Sequence, residues 1–357
     1  MTTFNPIRDQ QIIAGYLTDA SNILGYADGL LRPSSTAEVS RIVKLCQEQN
    51  IPLTVTACRT STTGGPVPFG GILLSMEKLN KIHSDTEVDA GVYLGEYQSE
   101  IEAKGLMFPP DPTSRHECSI GGAIACNASG ARSFRYGATR PWVEKLEVVF
   151  PTGEIQIIDR QTPIPEDWML HWTPPSVKTA AGYEPCDNLL DLMIGQEGTL
   201  GIITKAWLKI IPLPIEVLGM IVFFTSLEEC LTFVSVAKEG AKRPRQLAEE
   251  GALNPRAIEF FDHNAMFLIR QKVPGIPTEA NCGLFMEVEH DGEPNLEIWF
   301  EKLEEANALV DDIILAEDEV GREKLYVVRH AIPAGVNEIV VGNGMPKVGT
   351  DFAVPDH

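Results

Sequence analysis

The 357-residue sequence lacks the segments that carry a protein into or across a membrane. No apolar run approaches the roughly 18 residues that a membrane span requires. The N-terminal stretch MTTFNPIRDQ has no basic segment followed by an apolar one, which is the pattern of a secretory signal. We therefore expect no membrane span, no export and a cytoplasmic location.

Cations are scarce as well. The 29 Lys and Arg residues are outnumbered by 50 Asp and Glu residues, which gives a formal net charge of −21. Because such a chain repels phosphate backbones and anionic lipids, we expect no nucleic-acid partner. The seven cysteines are widely spaced and none forms C-x-x-C, so the sequence predicts neither a disulfide framework nor an iron–sulfur or zinc site.

Familiar nucleotide and catalytic motifs are also missing. There is no G-x-G-x-x-G after a strand and no G-x-x-x-x-G-K-[ST], which excludes the common Rossmann and Walker loops. His116 and Glu117 begin an H-E-x-x-H match, but its fifth residue is Ile120. No histidines have metal-ligand spacing, and no metal site is predicted.

The hydrophobic pattern predicts an α+β protein of two domains, covering residues 1–214 and 215–357. In the first domain, residues 36–50 have helical periodicity with Thr36 as N-cap, and residues 53–56 form a short strand. The small residues from Ile120 to Ala131 are typical of a tightly packed helix, and residues 143–158 of a β-hairpin.

The second domain has a different pattern. Its segments follow a β-α-β-β-α order from residue 220 to residue 309, which predicts helices covering one face of a sheet. Residues 322–330 are predicted to be helical. Pro212 and Pro214 mark the boundary before this domain.

Residues rich in glycine and hydroxyl groups form three loops in the first domain, at 57–68, 111–137 and 195–201. Such loops expose runs of backbone N–H groups that suit a phosphate or diphosphate, and small residues let a flat ring approach the backbone. A single loop of this kind is more often an ordinary turn. Three of them in half a chain indicate a ligand site, although composition alone does not name the ligand.

Three blocks of this region resemble the FAD-binding domain of the vanillyl-alcohol-oxidase, or PCMH, type. The blocks span residues 57–68, 110–140 and 195–204, and their order and spacing both fit this domain. Farther along, the second half is similar to the D-lactate dehydrogenase, glycolate-oxidase FAD-subunit and D-2-hydroxyglutarate dehydrogenase group. That similarity rests on residues 257–262, on Arg329 and on residues 351–355.

The resemblance implies a fold, a cofactor and an activity. The fold is a two-subdomain FAD-binding domain followed by a partial, ferredoxin-like substrate or cap domain. The activity is FAD-dependent oxidation of a small D-2-hydroxy acid such as lactate, glycolate or 2-hydroxyglutarate. It includes hydride transfer from the substrate C2 to the flavin N5.

The resemblance also assigns residues to the cofactor. The backbone amides of the first loop would hold the diphosphate: Cys58, Arg59, Thr60, Ser61 and Thr62. The ribityl chain and the flavin ring would lie along Ser114, Gly121, Gly122, Asn127 and Gly130. Gly198 and Ile203 would lie near the adenosine end.

For the substrate, Arg329 would bind the carboxylate through its planar guanidinium. Lys347 and His330 are weaker catalytic candidates. An external electron acceptor or an iron–sulfur partner chain would complete the reaction. Because no histidine occupies a familiar flavin-linking position, we expect non-covalent FAD.

The sequence departs from the family pattern in two places. The family's first loop usually carries glycine where this sequence has Ala57, Cys58 and Arg59. We interpret this change as a variant of the loop rather than a loss of FAD binding. The sequence also ends at His357, before the family's H-x-G-D-G-N-x-H motif. In the family that motif supplies metal ligands and a candidate base. We therefore expect an incomplete second domain. The alternatives are an accessory FAD-binding subunit or fragment and a flavin-free pseudoenzyme.

Overall fold

The computed structural model describes residues 5–173, 177, 182–241, 253–290, 296–347 and 354. Its contacts divide the chain into two compact units. The first unit comprises residues 1–129, 138–212 and 345–357, and the second comprises residues 130–137 and 213–344. Part of the second predicted glycine-rich loop therefore belongs to the second unit.

Helices and short strands alternate along the chain. The helices are α1 (Gln10–Ala14), α2 (Thr36–Glu48), α3 (Leu94–Glu102), α4 (Ile120–Ala125), α5 (Ser133–Tyr136), α6 (Leu189–Met193), α7 (Leu227–Ala241), α8 (His263–Lys272), α9 (Leu296–Glu305) and α10 (Glu319–Asn343). The strands are β1 (Gly29–Leu31), β2 (Leu53–Thr56), β3 (Ile72–Ser75), β4 (Glu87–Asp89), β5 (Leu106–Met107), β6 (Val143–Val149), β7 (Ile155–Asp159), β8 (Ile202–Leu208), β9 (Ile211–Pro212), β10 (Glu216–Phe224), β11 (Pro255–Phe261), β12 (Cys282–His290) and β13 (Ile314–Ala316).

A small parallel sheet in the first unit, with strand order β1-β3-β2, positions the first glycine-rich loop. Helix α2 belongs to the same core through Val39, Ile42 and Val43, whose spacing puts them on one helical face. Strand β2 ends at Thr56, and the loop leaves the sheet at that edge.

The N-cap of α2 differs from the expectation by one residue. Ser35, rather than Thr36, caps the helix, because its Oγ accepts the N–H of Glu38 at 3.3 Å. The Glu38 carboxylate in turn accepts the N–H of Ser34 at 2.7 Å. These two bonds satisfy N–H groups that have no partner within the helix.

The second sheet of the first unit is antiparallel, with strand order β4-β8-β6-β7. It contains the hairpin predicted from the sequence, formed by β6 and β7. Gly153 in the hairpin turn has a φ of +77°, and a Cβ there would lie 2.3 Å from Lys44 Cγ of α2. Glycine is therefore required both by the turn and by the close approach of α2.

The second unit is built on a four-stranded antiparallel sheet with the order β11-β12-β10-β13. With β10 taken as the first strand of this unit, the order of the four strands in the sheet is that of a ferredoxin-like fold. Residues on one face of β10, including Val222 and Phe224, pack against Phe233 of α7 and Trp299 of α9. Helices α8 and α10 pack against the opposite face.

The prediction that helices cover one face of this sheet is therefore wrong. Helix α8 was not predicted, and α10 extends well beyond the predicted residues 322–330. All residues of β10 from Val217 to Phe224 are buried, and such a run is typical of a strand covered on both faces.

Among the described residues, none of the helices has the length and hydropathy of a bilayer-spanning segment.

Candidate functional site

A cleft in the first unit is formed by the loop after β2, the start of α4 and the turn before β8. Its volume is about 130 Å³. The residues that line it are Val55, Thr56, Ala57, Cys58, Arg59, Thr60, Ser61, Gly65, Pro66, Met76, Ala90, Ser119, Gly121, Gly122, Ala125, Cys126, Gln196, Glu197, Gly198, Gly201, Ile202 and Ile203. Parts of all three predicted loops thus meet in one concave site.

The first wall of the cleft presents backbone N–H groups that have no protein acceptor. Among the described residues, the amides of residues 58–62 donate to neither a carbonyl nor a side chain. The Oγ1 of buried Thr56, at the end of β2, has no hydrogen-bond partner in the same part of the chain. Such a series of donors after a strand forms a concavity suited to an anion.

Arg59 adopts a left-handed backbone conformation in this loop, with a φ of +59°. This conformation costs a residue with a Cβ roughly 1–2 kcal/mol, and glycine adopts it freely. The Nη1 group donates to the carbonyl of Ala57 at 2.9 Å. The loop therefore has a left-handed residue where the resemblance leads one to expect glycine, but with a cationic side chain.

The second wall is the start of α4. The Ser119 Oγ caps the helix by accepting the N–H of Gly122 at 3.1 Å. A Cβ on Gly121 would lie 2.6 Å from the Cβ of Ala90, so glycine at this position lets α4 pack closely. A Cβ on Gly122 would lie 3.2 Å from Ser119 Oγ, which is a tight contact, whereas a Cβ on Gly198 in the turn before β8 would meet only Val55 Cβ, at 3.9 Å. Residues 120–131 were predicted as one helix, but α4 ends at Ala125.

The third wall is the turn at residues 195–201, which is bonded to the end of α4. The N–H of Gly195 donates to the carbonyl of Ile124 at 3.1 Å, and the N–H of Glu197 donates to that of Ala125 at 2.9 Å. The buried side chain of Gln196 bonds two backbone groups within the turn. The turn and α4 thus form one connected wall of the cleft.

Two comparisons with known proteins identify the family. Residues 27–159 match the FAD binding domain family. A D-lactate dehydrogenase of Anaerostipes hadrus is 32% identical over 353 residues, which cover 92% of this chain and 68% of that relative. The chain belongs to the vanillyl-alcohol-oxidase family of FAD-binding proteins.

Other relatives agree with this family. The glycolate oxidase subunit GlcD of Bacillus subtilis is 30% identical over 270 residues, covering 73% of this chain and 51% of the relative. An alkyldihydroxyacetonephosphate synthase structure superimposes with a TM-score of 0.63 at 18% identity, covering 89% of this chain and 60% of that one. That structure supports the fold. The chain spans only 51% to 68% of the length of the two sequence relatives.

The residues that line the cleft fit FAD. The cofactor has a diphosphate, which needs several hydrogen-bond donors, and the amides of residues 58–62 with the Thr56 hydroxyl provide donors that have no acceptor among the described residues. It also has flat ring systems, and Gly198 leaves room beside the backbone, since a Cβ there would meet only Val55 Cβ. Burial raises the pKa of the Cys58 thiol, which keeps that side chain neutral beside an anion.

The structure brings most of the predicted cofactor residues together. Eight of them line the cleft: Cys58, Arg59, Thr60, Ser61, Gly121, Gly122, Gly198 and Ile203. Thr62 follows directly in the same loop without lining the cleft. Their contacts with FAD remain predictions.

Three other predicted cofactor residues do not line the cleft. Ser114 accepts the N–H groups of residues 117 and 118 through its carbonyl. The Asn127 Oδ1 accepts the N–H of Arg140 at 2.9 Å. The Gly130 N–H donates to Ser133 Oγ at 2.9 Å, within the second unit. A backbone or side-chain group of each residue therefore already makes a hydrogen bond within the protein.

Sequence reasoning missed several residues of the cleft, including Thr56, Ser119 and Gln196. Each of them adjoins a predicted loop or helix start, and their polar side chains were the available signal. Thr56 is the last residue of β2, Ser119 is the residue before the small-residue run, and Gln196 lies inside the third loop.

The predicted catalytic residues lie in both units. Arg329 on α10 is 7% exposed, and its guanidinium makes a two-point ion pair with Glu259 of β11, including Nη2–Oε1 at 2.9 Å. The ring of His330 stacks on Tyr326 with centroids 6.1 Å apart. Lys347 belongs to the first unit, where its N–H donates to the carbonyl of Ser21 at 2.8 Å. Residues 351–353 and 355 of the predicted motif lie outside the described residues.

A buried charge cluster on β11 and β12 was not predicted. The Arg256 Nε lies 2.6 Å from Glu287 Oε2, and its Nη1 lies 3.5 Å from Glu289 Oε1. Arg132 lies 3.5 Å from Glu287, and the hydroxyl of Tyr136 donates to Glu289. Ion pairs and hydrogen bonds thus attach the segment 130–137 to the sheet of the second unit.

The two carboxylates of this cluster are almost fully buried. Burial by itself raises the pKa of the Glu287 carboxyl, but Arg256 and Arg132 outweigh it and hold this pKa below its usual range. Glu287 is therefore ionised at neutral pH, and its charge is balanced within the unit.

Proposed function

We propose that this protein is an FAD-dependent dehydrogenase of a D-2-hydroxy acid of the lactate, glycolate or 2-hydroxyglutarate class. The main support is the loop after β2, whose five successive N–H groups have no acceptor among the described residues. That loop lies within a region matching an FAD binding domain. Relatives named D-lactate dehydrogenase and glycolate oxidase subunit support the substrate class.

In this proposal the cleft holds FAD without a covalent link. The amides of residues 58–62 bind the diphosphate, and the Thr56 hydroxyl donates or accepts one further hydrogen bond. Gly198 leaves space for the rest of the cofactor. When bound, FAD provides a ring that accepts two electrons and a proton equivalent, as hydride, from an alcohol carbon.

The substrate carboxylate is assigned to Arg329. Its guanidinium already makes a two-point ion pair with the Glu259 carboxylate, which is the geometry that a substrate carboxylate requires. Glu259 is partly exposed, with 29% of its side-chain surface accessible. A substrate would therefore replace Glu259 as the partner of Arg329. His330 and Lys347 remain weaker candidates.

The flavin must pass its electrons on to an acceptor. No two cysteines have the C-x-x-C spacing of an iron–sulfur site. We propose a diffusible acceptor or a partner chain that carries the relay. A second candidate function, an accessory FAD-binding subunit, is supported by a relative whose own name is glycolate oxidase subunit.

Flavin content and reduction of the flavin by substrate test these functions in turn. The purified protein should be yellow, absorb near about 450 nm, and release its flavin on denaturation because the cofactor is not covalently bound. Anaerobic addition of D-lactate, glycolate or D-2-hydroxyglutarate should bleach the flavin, while L-lactate serves as the control.

The alternatives predict other results. Bound flavin that none of the acids bleaches would contradict the dehydrogenase and favour the accessory subunit. A colourless protein that cannot be reconstituted with FAD would contradict both functions and favour a flavin-free pseudoenzyme.

A further inference from the structure

We infer that the guanidinium of Arg59 contacts the FAD diphosphate directly, in addition to the backbone amides. We also infer that the ring of Tyr16 positions this guanidinium. The inference rests on FAD binding in the cleft, which is part of the proposed function. It adds a charged side chain to a site that otherwise binds the diphosphate through backbone amides. Three observations support it.

The charge distribution of the cleft is the first observation. Among the residues that line it, Arg59 is the only cation, and Glu197 is the only anion. The chain as a whole has a net charge of −21. A diphosphate entering this cleft therefore has one cationic side chain to neutralise it, and that side chain belongs to the loop whose amides are unpaired.

The second observation is the state of the guanidinium itself. No carboxylate of the described residues lies within 4.0 Å of it, and its bond to the Ala57 carbonyl uses only Nη1. A guanidinium has five N–H donors, so several are available for phosphate oxygens. The backbone strain at Arg59 adds to this argument, because a strained residue persists where the surrounding structure holds it, often at a ligand site.

The third observation is that a second segment holds the Arg59 side chain. Its guanidinium carbon lies 4.7 Å from the centroid of the Tyr16 ring, a cation–π contact. The Tyr16 hydroxyl donates to Glu77 at 2.9 Å, which fixes the ring, and Arg32 pairs with the same carboxylate at 3.2 Å. Nearby, the Asp19 carboxylate accepts the N–H of Gly64 at 2.9 Å. Residues 16–19 thus hold the loop at two points.

Titration of flavin-stripped protein with FAD, followed by flavin fluorescence, tests the inference without measuring turnover. R59N is the informative variant, because asparagine tolerates the left-handed conformation but has no charge. We expect its Kd for FAD to rise about 10-fold or more, the effect of losing a charge-assisted hydrogen bond. R41N, at an exposed position of α2, is the matched control for lost charge and should leave the Kd within about 2-fold.

The salt dependence separates a contact by charge from an effect on loop shape. Between about 0.1 M and about 1 M salt the Debye length falls from about 10 to about 3 Å. The FAD affinity of the wild type should fall over this range more steeply than that of R59N. Y16F should stay within about 2-fold of the wild type, while Y16L, which lacks the ring, should raise the Kd by about 3-fold.

Several outcomes would overturn the inference. An R59N variant that binds FAD as tightly as the wild type would remove the guanidinium from the site. A weakened R59N with an unchanged salt dependence would assign the loss to loop shape. If the wild type binds no FAD, both this inference and the proposed function fail. If R59N behaves as expected but no hydroxy acid reduces the flavin, the proposed function alone fails.

Discussion

The loop after β2 in the first unit and the buried arginines of the second unit differ in how their polar groups are paired. In the first unit, the loop after β2 leaves the amides of residues 58–62 and the Thr56 hydroxyl without acceptors among the described residues. In the second unit, the buried guanidinium of Arg256 is within 3.5 Å of two carboxylates, and Arg329 has a two-point partner in Glu259.

This difference distinguishes a ligand site from a structural cluster. Buried polar groups are nearly always hydrogen-bonded, so a group that lacks a partner in a folded unit points to a missing ligand or water. Removing one member of a buried ion pair is costly, because the other charge is left buried without compensation. By this criterion the buried Thr56 hydroxyl points to a ligand at the cleft, while the ion pairs around Glu287 attach the segment 130–137 to the sheet of its own unit.

The largest effect is expected from breaking the buried cluster. R256M leaves Glu287 buried without its nearest cation, and this should lower the free energy of unfolding by about 3–5 kcal/mol. Urea denaturation measures it. The control is K302M, which removes an exposed pair with Glu305 and should cost under about 1 kcal/mol. Equal effects of the two substitutions would contradict a structural role for the cluster.

Acid should weaken the same cluster. The folded-state pKa of Glu287 lies below its ordinary value of 4.5, so its ionised form stabilises the protein above that pH. This contribution is lost as the pH falls below about 4.5 toward the lowered pKa. Denaturation midpoints measured from neutral pH downward should therefore fall less steeply in E287Q than in the wild type. Parallel slopes would show that Glu287 does not titrate differently in the folded state.

Substitutions of Arg329 and Glu259 test whether a side chain that is already ion-paired can also bind the substrate carboxylate. R329A should raise the KM for the hydroxy acid about 10- to 100-fold, since a charge-assisted contact is lost, with little change in flavin content. E259Q should lower the KM, because it removes the internal competitor for the guanidinium. An unchanged KM in both variants would place Arg329 with the structural charges.

A substitution of Thr56 is expected to have a smaller effect, in which FAD affinity falls while the stability of the flavin-stripped protein is kept or rises. T56V keeps the shape but removes a buried hydroxyl that has no partner among the described residues. The flavin-stripped variant should be as stable as the wild type or more so, because no unsatisfied group is buried. Its Kd for FAD should rise about 3- to 10-fold, from one lost hydrogen bond. A loss of stability without loss of affinity would show that the hydroxyl serves the fold.

Local sequence patterns predicted the elements around the cleft but not the long-range contacts. Strand β2, the loop after it and the turn at 195–201 could be read from the sequence because each is a continuous run with its own composition. The stacking of Arg59 on Tyr16 joins residues that are 43 positions apart, and no local pattern encodes it.

The second unit was harder to predict. Helix α10 continues through Pro333, which ordinarily ends a helix, so the prediction stopped short of that residue. The charged residues of β11 and β12 interrupt an apolar pattern, and Arg256 reaches Glu287 from an irregularity in the strand pairing between Pro255 and Ala257, which the sequence does not indicate.

Hydrogen–deuterium exchange with and without FAD tests most directly whether the unpaired amides receive the cofactor. Because the N–H groups of residues 58–62 have no acceptor in the part of the chain that the structure describes, peptides covering this loop should exchange rapidly in the flavin-stripped protein and become protected at saturating FAD. Peptides from β12 should exchange slowly in both states. Bound FAD with no added protection at residues 58–62 would contradict the account.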